Sequence, residues 1–220
     1  MEHEHNRHGG IILASASPRR RDLLEAAGLR FDIIPSRINE ETFTADASDP
    51  GAYARMLAEA KADDVATSYP DTWVIGADSI VVIGDRILEK PVSEEDARRM
   101  LNLLSGNCHR VFTGYAVCRR KTGFRHADAA VTEVVFKTLT HAEIEWYIHT
   151  PEPYDKAGAY AIQGLGSFMV RSINGSYSNV VGLPVCEVMD CLTRQGALIR
   201  RAGMDPELRA VESNDDFSAN

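Results

Sequence analysis

Two short clusters of polar residues have types and spacing that could do chemistry, and the first of them is cationic. The hexapeptide SASPRR at residues 15–20 follows a short apolar run. Ser17 is typical of a helix N-cap and Pro18 of a first helical position, so unpaired N–H groups of that first turn would favour an anion. Arg19 and Arg20 oppose the helix dipole there unless a phosphate binds them. The cluster therefore indicates a phosphate site, and the alternative is two surface arginines beside an ordinary cap.

The second cluster is a carboxylate at the end of a buried apolar strand. In the sequence VIGADS, residues 74–79, Asp78 directly follows the apolar run. Enzymes with open α/β sheets place reacting groups at such strand ends. Asp78 could hold a divalent cation, activate a water molecule, or do both. The alternative is a structural role in which the carboxylate only ends the strand.

Three further polar residues are weaker candidates. Lys90 follows the turn after the Asp78 segment and could reach back to the same cleft, and Lys61 is a similar candidate; for each, a solvated surface lysine is the alternative. Gln163, in the sequence AIQGLG, offers an amide donor and acceptor that suit the edge of a nucleobase. A plain surface glutamine is the alternative there. The glycines beside it do not form a dinucleotide-binding fingerprint, because the third glycine and the strand-to-helix setting are missing.

The elements that must position these residues mix helices and strands. Apolar spacing and capping signals predict helices at residues 18–27, 52–65, 94–104, 141–149 and 184–194. Apolar and β-branched runs predict strands at 11–14, 31–34, 73–83, 110–119 and 124–137. A second hairpin is predicted from 168–173 and 177–181, because Asn174-Gly175 between them is a strong hairpin signal. This mixture predicts an α/β fold with a mixed sheet.

Composition limits the kind of protein this chain can be. The 220 residues carry 24 Lys+Arg and 32 Asp+Glu, for a net charge of −8. A pI near 5.4 disfavours a protein that coats a nucleic-acid polymer, but one small anionic ligand can still bind a local cluster of cations. No apolar run approaches the roughly 18 residues of a membrane helix. The four cysteines lack metal or disulfide spacing, so we expect a reducing cytoplasm.

The length favours one domain with polar ends. Residues 1–10 are predicted to be a flexible polar lead, residues 11–200 a single α/β domain, and residues 201–220 a polar C-terminal tail that is partly disordered. No internal repeat or low-complexity linker divides the chain.

Seven short motifs, in this order and spacing, resemble the Maf family of nucleoside triphosphate pyrophosphatases. They are LASASPRR (13–20), GADS (76–79), LEKP (88–91), VFTG (111–114), YAIQG (160–164), INGSY (173–177) and VGLP (181–184). The resemblance implies a curved mixed sheet in two lobes around a cleft, similar to inosine triphosphatase, and a homodimer. It also implies hydrolysis of a nucleoside triphosphate to the monophosphate and pyrophosphate with a divalent cation, which would be Mg²⁺, Mn²⁺ or Co²⁺.

The resemblance also implies roles for individual residues. Asp78 matches the family's water-activating carboxylate, and Asp78 and Glu40 are expected to hold the metal. The phosphate-binding positions are matched by Arg19, Arg20, Lys61 and Lys90, with Ser17 expected beside them. Positions linked to substrate choice are matched by Arg19, Ser79 and Gln163. Two departures stand out: Asn39 replaces a frequent Asp, which weakens a two-carboxylate metal site in that loop, and Ser79 replaces the more usual Thr.

Glutamine at position 163 is similar to the subgroup that acts on dTTP and UTP. The alternative within the same reaction is 7-methyl-GTP or another modified nucleotide, for which members typically carry an acidic residue at that position. An alternative of another class is a regulatory protein that inhibits septum formation by binding a partner.

Overall fold

A computed structural model describes residues 10–198 of the chain, and its centre is a mixed seven-stranded sheet. The strands are β1 (Ile11–Leu13), β2 (Asp32–Ile33), β3 (Trp73–Ile83), β4 (Arg86–Leu88), β5 (Cys108–Arg119), β6 (Phe124–Phe136) and β7 (Val170–Asn174). Their order in the sheet is β2-β1-β3-β5-β6-β7, and β4 pairs with β3. The pairs β1–β2 and β1–β3 are parallel and the others antiparallel, which confirms the predicted mixed sheet.

Six α-helices flank the sheet within the described range. They are α1 (Pro18–Ala26), α2 (Pro50–Ser68), α3 (Glu94–Leu104), α4 (His141–Ile148), α5 (Tyr177–Val181) and α6 (Val185–Arg194). Their local signals work as predicted in two cases. The Ser93 side chain accepts a hydrogen bond from the Asp96 N–H at 3.1 Å, and Thr140 forms a reciprocal capping box with Glu143.

The predicted second hairpin is wrong. After Asn174-Gly175 the chain forms helix α5 instead of a returning strand. Strand β7 already pairs with β6, and the Ser176 N–H donates to Thr132 Oγ1 of β6 at 3.0 Å. These contacts turn the chain onto the sheet, where Asn179 of α5 is fully buried. The turn signal was therefore real, but tertiary contacts decide which element comes after the turn.

Helix α2 packs unusually close to the sheet because two glycines face it. A Cβ atom on Gly76 of β3 would lie 2.3 Å from the Ala58 carbonyl oxygen, and one on Gly114 of β5 would lie 2.1 Å from the Ala54 carbonyl oxygen. Real atoms never approach so closely, so only glycine fits at either position. The close approach sets the distance between the side chains of α2 and the residues of β3 beside Gly76.

Two apolar clusters occupy the opposite face of the sheet and leave a polar interval between them. One cluster contains Ile75, Ala77 and residues of α1 and α6, and the other contains Val81 and residues of α3 and α4. Ser79 has the same side-chain direction as Ala77 and Val81, and it falls between the clusters. This arrangement confirms the predicted two lobes around a cleft.

Two expectations lie at or beyond the limits of the described chain. Apart from Gly10, the predicted polar lead lies outside the described residues, and so does the predicted C-terminal tail. Among residues 10–198, no helix is both long and apolar enough to cross a membrane.

Candidate active site

The main polar pocket opens at a gap in the sheet. Strand β1 pairs with residues 73–75 of β3, and β4 pairs with residues 81–83 on the same side. Within the described chain no strand pairs with residues 76–80 of β3 on the side of β1 and β4. A pocket of about 780 Å³ lies at this open edge. Neighbouring side chains of a strand point to opposite faces, so Asp78 and Ser79 reach this pocket around the open edge from two sides.

All nine site residues predicted from the sequence line this pocket. They are Ser17, Arg19, Arg20, Glu40, Lys61, Asp78, Ser79, Lys90 and Gln163. The cationic cluster at the start of α1 and the carboxylate of β3 therefore share one cavity. A second, apolar pocket of about 590 Å³ beside Trp146 and Phe168 contains none of them.

The carboxylate Asp78 is held in an ion-paired cluster with α2. Lys61 Nζ lies 2.6 Å from Asp78 Oδ1 and 2.8 Å from Glu40 Oε1, and both Lys61 and Asp78 are more than 90% buried. Burial alone would raise the pKa of the Glu40 carboxyl, but its hydrogen bond and charge contact with Lys61 bring that pKa below its usual value. Lys61 thus binds both candidate metal ligands, and one ammonium group keeps two carboxylates together.

Arg20 is fixed before any ligand arrives. Its guanidinium donates from Nε to the Gly182 carbonyl at 2.7 Å, from Nη1 to Ser15 Oγ at 3.1 Å and from Nη2 to Ser79 Oγ at 3.2 Å. Burial lowers the pKa of Arg20 from its ordinary value, and the charge of Asp78 acts in the opposite direction. The group stays cationic at physiological pH, because a guanidinium is not deprotonated in proteins. A cation held in this way is preorganised for an anion.

A chain of hydroxyl groups fixes the direction of the proton on Ser79. Thr113 Oγ1 donates to the Asn179 carbonyl at 3.0 Å, so its contact of 2.8 Å with Ser79 Oγ must be one that it accepts. Ser79 Oγ therefore donates to Thr113 and accepts from Arg20. With its proton used in this way, Ser79 meets a ligand in the pocket as an acceptor.

The start of α1 also differs in detail from the sequence prediction. Ser17 stands at the N-cap position, but its side chain makes no capping hydrogen bond. Instead, the Ser17 N–H donates to Ser15 Oγ at 3.2 Å. The first N–H groups of the helix are thus left for an anion, which strengthens the case for a phosphate at this helix start.

The pocket as a whole is close to electrically neutral. Of the residues the structure describes, five cationic side chains line it (Arg19, Arg20, Lys61, Lys90 and Lys156), and five carboxylates do so too (Glu40, Glu41, Asp78, Glu89 and Asp155). Arg19 pairs with Asp155 at 3.4 Å, while Lys90 has no ion-pair partner among residues 10–198. A triphosphate carries about four negative charges, so the four predicted cations alone do not balance it against these carboxylates.

The donor set fits a divalent cation only together with a ligand. Within the described residues, no group of three or more His, Cys, Asp or Glu side chains is arranged to hold a metal. Asp78 and Glu40 contact Lys61 through one oxygen each, so each carboxylate has a second oxygen to offer. Mg²⁺ is commonly bound by one or two carboxylates plus substrate phosphates. Asp78 and Glu40 could match that pattern if a phosphate bound at the nearby start of α1.

Sequence reasoning missed several residues that shape the site. Ser15 and Thr113 hold the Arg20–Ser79 contact, and Lys156 adds a cation to the lining. Ser15 belongs to the hexapeptide already singled out, but the sequence does not say which serine faces the arginine. Thr113 lies in VFTG, a motif used only for family resemblance, and Lys156 follows Asp155 in a segment without a chemical signal.

The gap in the sheet, the helix start and the carboxylates define an α/β protein with a polar cleft lined by both cations and carboxylates. Residues 10–195 match the family model described as Maf-like protein, and the chain therefore belongs to the Maf family.

Several relatives align with this chain over most of their own length. A protein of Geobacter sulfurreducens named dTTP/UTP pyrophosphatase is 52% identical over 190 residues, which cover 86% of this chain and 98% of that protein. Proteins of the same name from Syntrophus aciditrophicus and Syntrophotalea carbinolica are 46% and 50% identical, over 86% of this chain and 91% and 86% of their own lengths. A HAM1 protein from Coxiella burnetii has a structure with a TM-score of 0.37 and 19% identity, covering 58% of this chain and 72% of that one.

Proposed function

We propose that this protein hydrolyses nucleoside triphosphates, with dTTP and UTP preferred, to the monophosphate and pyrophosphate, and thereby sanitises the nucleotide pool. One observation carries the proposal: the Asp78 carboxylate and the Arg20 guanidinium line one pocket at the start of α1. The names of the relatives support the reaction and the two substrates. Cleavage between the α- and β-phosphates is the reaction that those names imply.

The residues of the pocket have different roles in such a hydrolysis. Asp78 accepts a proton from the attacking water and orients that water toward the α-phosphorus. Arg20 and the free N–H groups of α1 bind phosphate oxygens and so hold the triphosphate in position for the reaction. Lys90, which has no ion-pair partner among the described residues, is available for the leaving pyrophosphate. Lys61 holds the Asp78 carboxylate in place through a contact of 2.6 Å with Oδ1.

We further propose that Asp78 and Glu40 hold a divalent cation, Mg²⁺, Mn²⁺ or Co²⁺, when the nucleotide binds. The near neutrality of the pocket lining supports this proposal, because a tetra-anion needs charge that the side chains do not provide. A bound ion would supply that charge on the phosphate oxygens. A homodimer and a cytoplasmic location are further expectations, which rest on the family resemblance and the cysteine content.

The amide of Gln163 supports the choice of a pyrimidine. Its side chain is exposed in the pocket and makes no hydrogen bond to another residue in 10–198. An amide can donate to the carbonyl and accept from the N–H of the imide edge that thymine and uracil share. A methylated, cationic guanine would favour a carboxylate at this position, so 7-methyl-GTP is the less favoured substrate.

A substrate panel tests the proposed function. We expect dTTP and UTP to give the monophosphate and pyrophosphate, with a higher kcat/KM than dCTP, dATP or 7-methyl-GTP and with no turnover in excess EDTA. Ion chromatography identifies the products, and titration with Mg²⁺, Mn²⁺ and Co²⁺ restores activity. Release of orthophosphate instead of pyrophosphate would contradict the reaction, and a clear preference for 7-methyl-GTP would contradict the substrate choice.

Replacing Arg20 with Ala is expected mainly to raise KM, by roughly 10-fold, which corresponds to about 1.4 kcal/mol of lost binding. Arg20 is already fixed by Gly182, Ser15 and Ser79, so it can bind a phosphate oxygen of the substrate before the reaction begins. A contact that is made equally in the ground state and in the transition state changes KM and leaves kcat the same. Steady-state kinetics with dTTP measures the effect.

Arg21→Ala is the matched control, because Arg21 is the next residue of the same helix but pairs with Asp22 and does not line the pocket. We expect its KM to be unchanged. An unchanged KM with a lost kcat in Arg20→Ala would instead place Arg20 on the transition state alone.

A further inference from the structure

A single carboxylate outside the reacting centre holds the segment that carries Gln163. Glu152 lies in a 3-10 turn, Glu152–Asp155, between α4 and the pocket. Its Oε1 accepts from the Tyr147 hydroxyl at 2.9 Å and from the Gly166 N–H at 2.8 Å. Its Oε2 accepts from the Leu165 N–H at 3.0 Å. Three donors therefore converge on one side chain.

These contacts fix the backbone on both sides of Gln163. Leu165 and Gly166 follow Gln163 by two and three positions, and the backbone N–H groups of both donate to the Glu152 carboxylate. Ala161 precedes Gln163 by two positions, and its N–H donates to the hydroxyl of the buried Tyr147 at 3.2 Å. Tyr147 in turn donates to Glu152, so one pair of side chains holds both ends of the Gln163 segment.

The glycines of this segment are explained by the same carboxylate. Gly164 has φ +67°, and a Cβ there would lie 2.5 Å from Glu152 Oε2. A Cβ on Gly166 would lie 2.8 Å from the Tyr147 hydroxyl oxygen. The two glycines thus let the backbone approach Glu152 and Tyr147 closely, a role that the sequence pattern alone left open.

All three donors need an acceptor, and an ionised carboxylate is the side chain that only accepts. Burial would raise the pKa of Glu152, but the N–H groups of Gly166 and Leu165 and the hydroxyl of Tyr147 bring it below its usual value. Glu152 is therefore charged at neutral pH and satisfies each donor. An amide in its place would turn one N–H₂ group toward at least one of these donors and lose that hydrogen bond.

We propose that Glu152 is a positioning residue that fixes the backbone from which the Gln163 amide enters the pocket and thereby sets the selectivity for the nucleobase. This inference rests on the proposed function, because it assigns the base to Gln163. Glu152 does not line the pocket and makes no hydrogen bond to Asp78, Lys61 or Arg20. Its effect on the reaction must therefore pass through the segment that it holds.

The test is Glu152→Gln, assayed with dTTP and dCTP. The bases of these two nucleotides differ at the hydrogen-bonding edge that the Gln163 amide would contact. We expect the ratio of kcat/KM for dTTP over dCTP to fall about 10-fold, through a higher KM for dTTP and with kcat changed less than about twofold. In a Gln163→Ala background, the same substitution should leave the ratio unchanged, because the group it positions is gone. Glu145→Gln is the control, since Glu145 pairs with Arg98 and does not contact the segment.

A readout without nucleotide separates this inference from the proposed function. Amide hydrogen exchange at Leu165 and Gly166 should become faster in Glu152→Gln and stay unchanged in Glu145→Gln. If Glu152→Gln does not fold, Tyr147→Phe removes one donor to Glu152 and the acceptor of Ala161, and it should lower the ratio in the same direction. An unchanged ratio with intact turnover, or full additivity with Gln163→Ala, would overturn the role of Glu152. Absence of any triphosphate turnover in the wild-type protein would instead contradict the proposed function.

Discussion

Replacing Asp78 with Asn should lower kcat for dTTP by roughly 10²-fold or more, as expected when a positioned proton acceptor is removed. The amide cannot take a proton from water, and it leaves the buried ammonium of Lys61 with Glu40 as its remaining carboxylate partner. Steady-state kinetics with pyrophosphate detection measures the loss. Asp85→Asn is the matched control, because Asp85 lies in the exposed turn before β4 and does not line the pocket.

Two outcomes of the Asp78 experiment would change our conclusions. Near-normal turnover in a folded Asp78→Asn protein would contradict the assignment of the proton acceptor. Lost turnover with an intact effect on cell growth or division would favour the regulatory alternative, in which the protein inhibits septum formation by binding a partner. Circular dichroism on the same samples separates lost chemistry from lost folding.

Replacing Gly114 with Ala is expected to lower the free energy of unfolding by about 3 kcal/mol or more. The new methyl group would lie 2.1 Å from the Ala54 carbonyl oxygen and 2.4 Å from the Arg55 nitrogen, both of which are helix backbone and cannot rotate away. Helix α2 must then move off the sheet, and Lys61 moves with it. Urea unfolding measures the change in the free energy of unfolding. The dTTP assay, at urea concentrations below the unfolding transition, measures the loss of activity that the displacement of Lys61 causes.

Gly51→Ala, in helix α2 itself, is the control for the Gly114→Ala substitution in β5. Its Cβ would meet nothing closer than 3.6 Å, which is an ordinary contact. We therefore expect a change within about 1 kcal/mol, in the stabilising direction that helix propensity favours. Equal stability of the Gly114→Ala and wild-type proteins would contradict the close packing of α2 on the sheet.

Local signals in the sequence predicted much of the fold and the candidate site because the relevant physics is local. Ser93 and the Thr140–Glu143 pair start their helices through contacts within three residues. Asp78 was found because a charged residue directly follows an apolar run. Asn174-Gly175 shows the limit of this reasoning, since a turn signal says that the chain turns but not whether a strand or a helix comes next.

The remaining features depend on contacts between residues far apart in the sequence. Arg20 meets Gly182 across 162 positions, and Ser79 meets Thr113 across 34. Glu152 accepts two of its hydrogen bonds from the backbone N–H groups of Leu165 and Gly166. Every residue but proline has such a group, so no side-chain pattern at these positions predicts the contact. The pairing of Lys61 with both Asp78 and Glu40 likewise needs the packing of α2 to be known.

The open edge of β3 constrains how this enzyme family can change over time. Asp78 and Ser79 are consecutive residues, and they line one pocket from opposite faces of a single strand. Deleting or inserting one residue upstream in β3 would exchange the two sides, so that the hydroxyl would face the lysine and the carboxylate would face the arginine. We therefore expect natural variation in this strand to proceed by substitution at constant length, with changes of length confined to the loops around it.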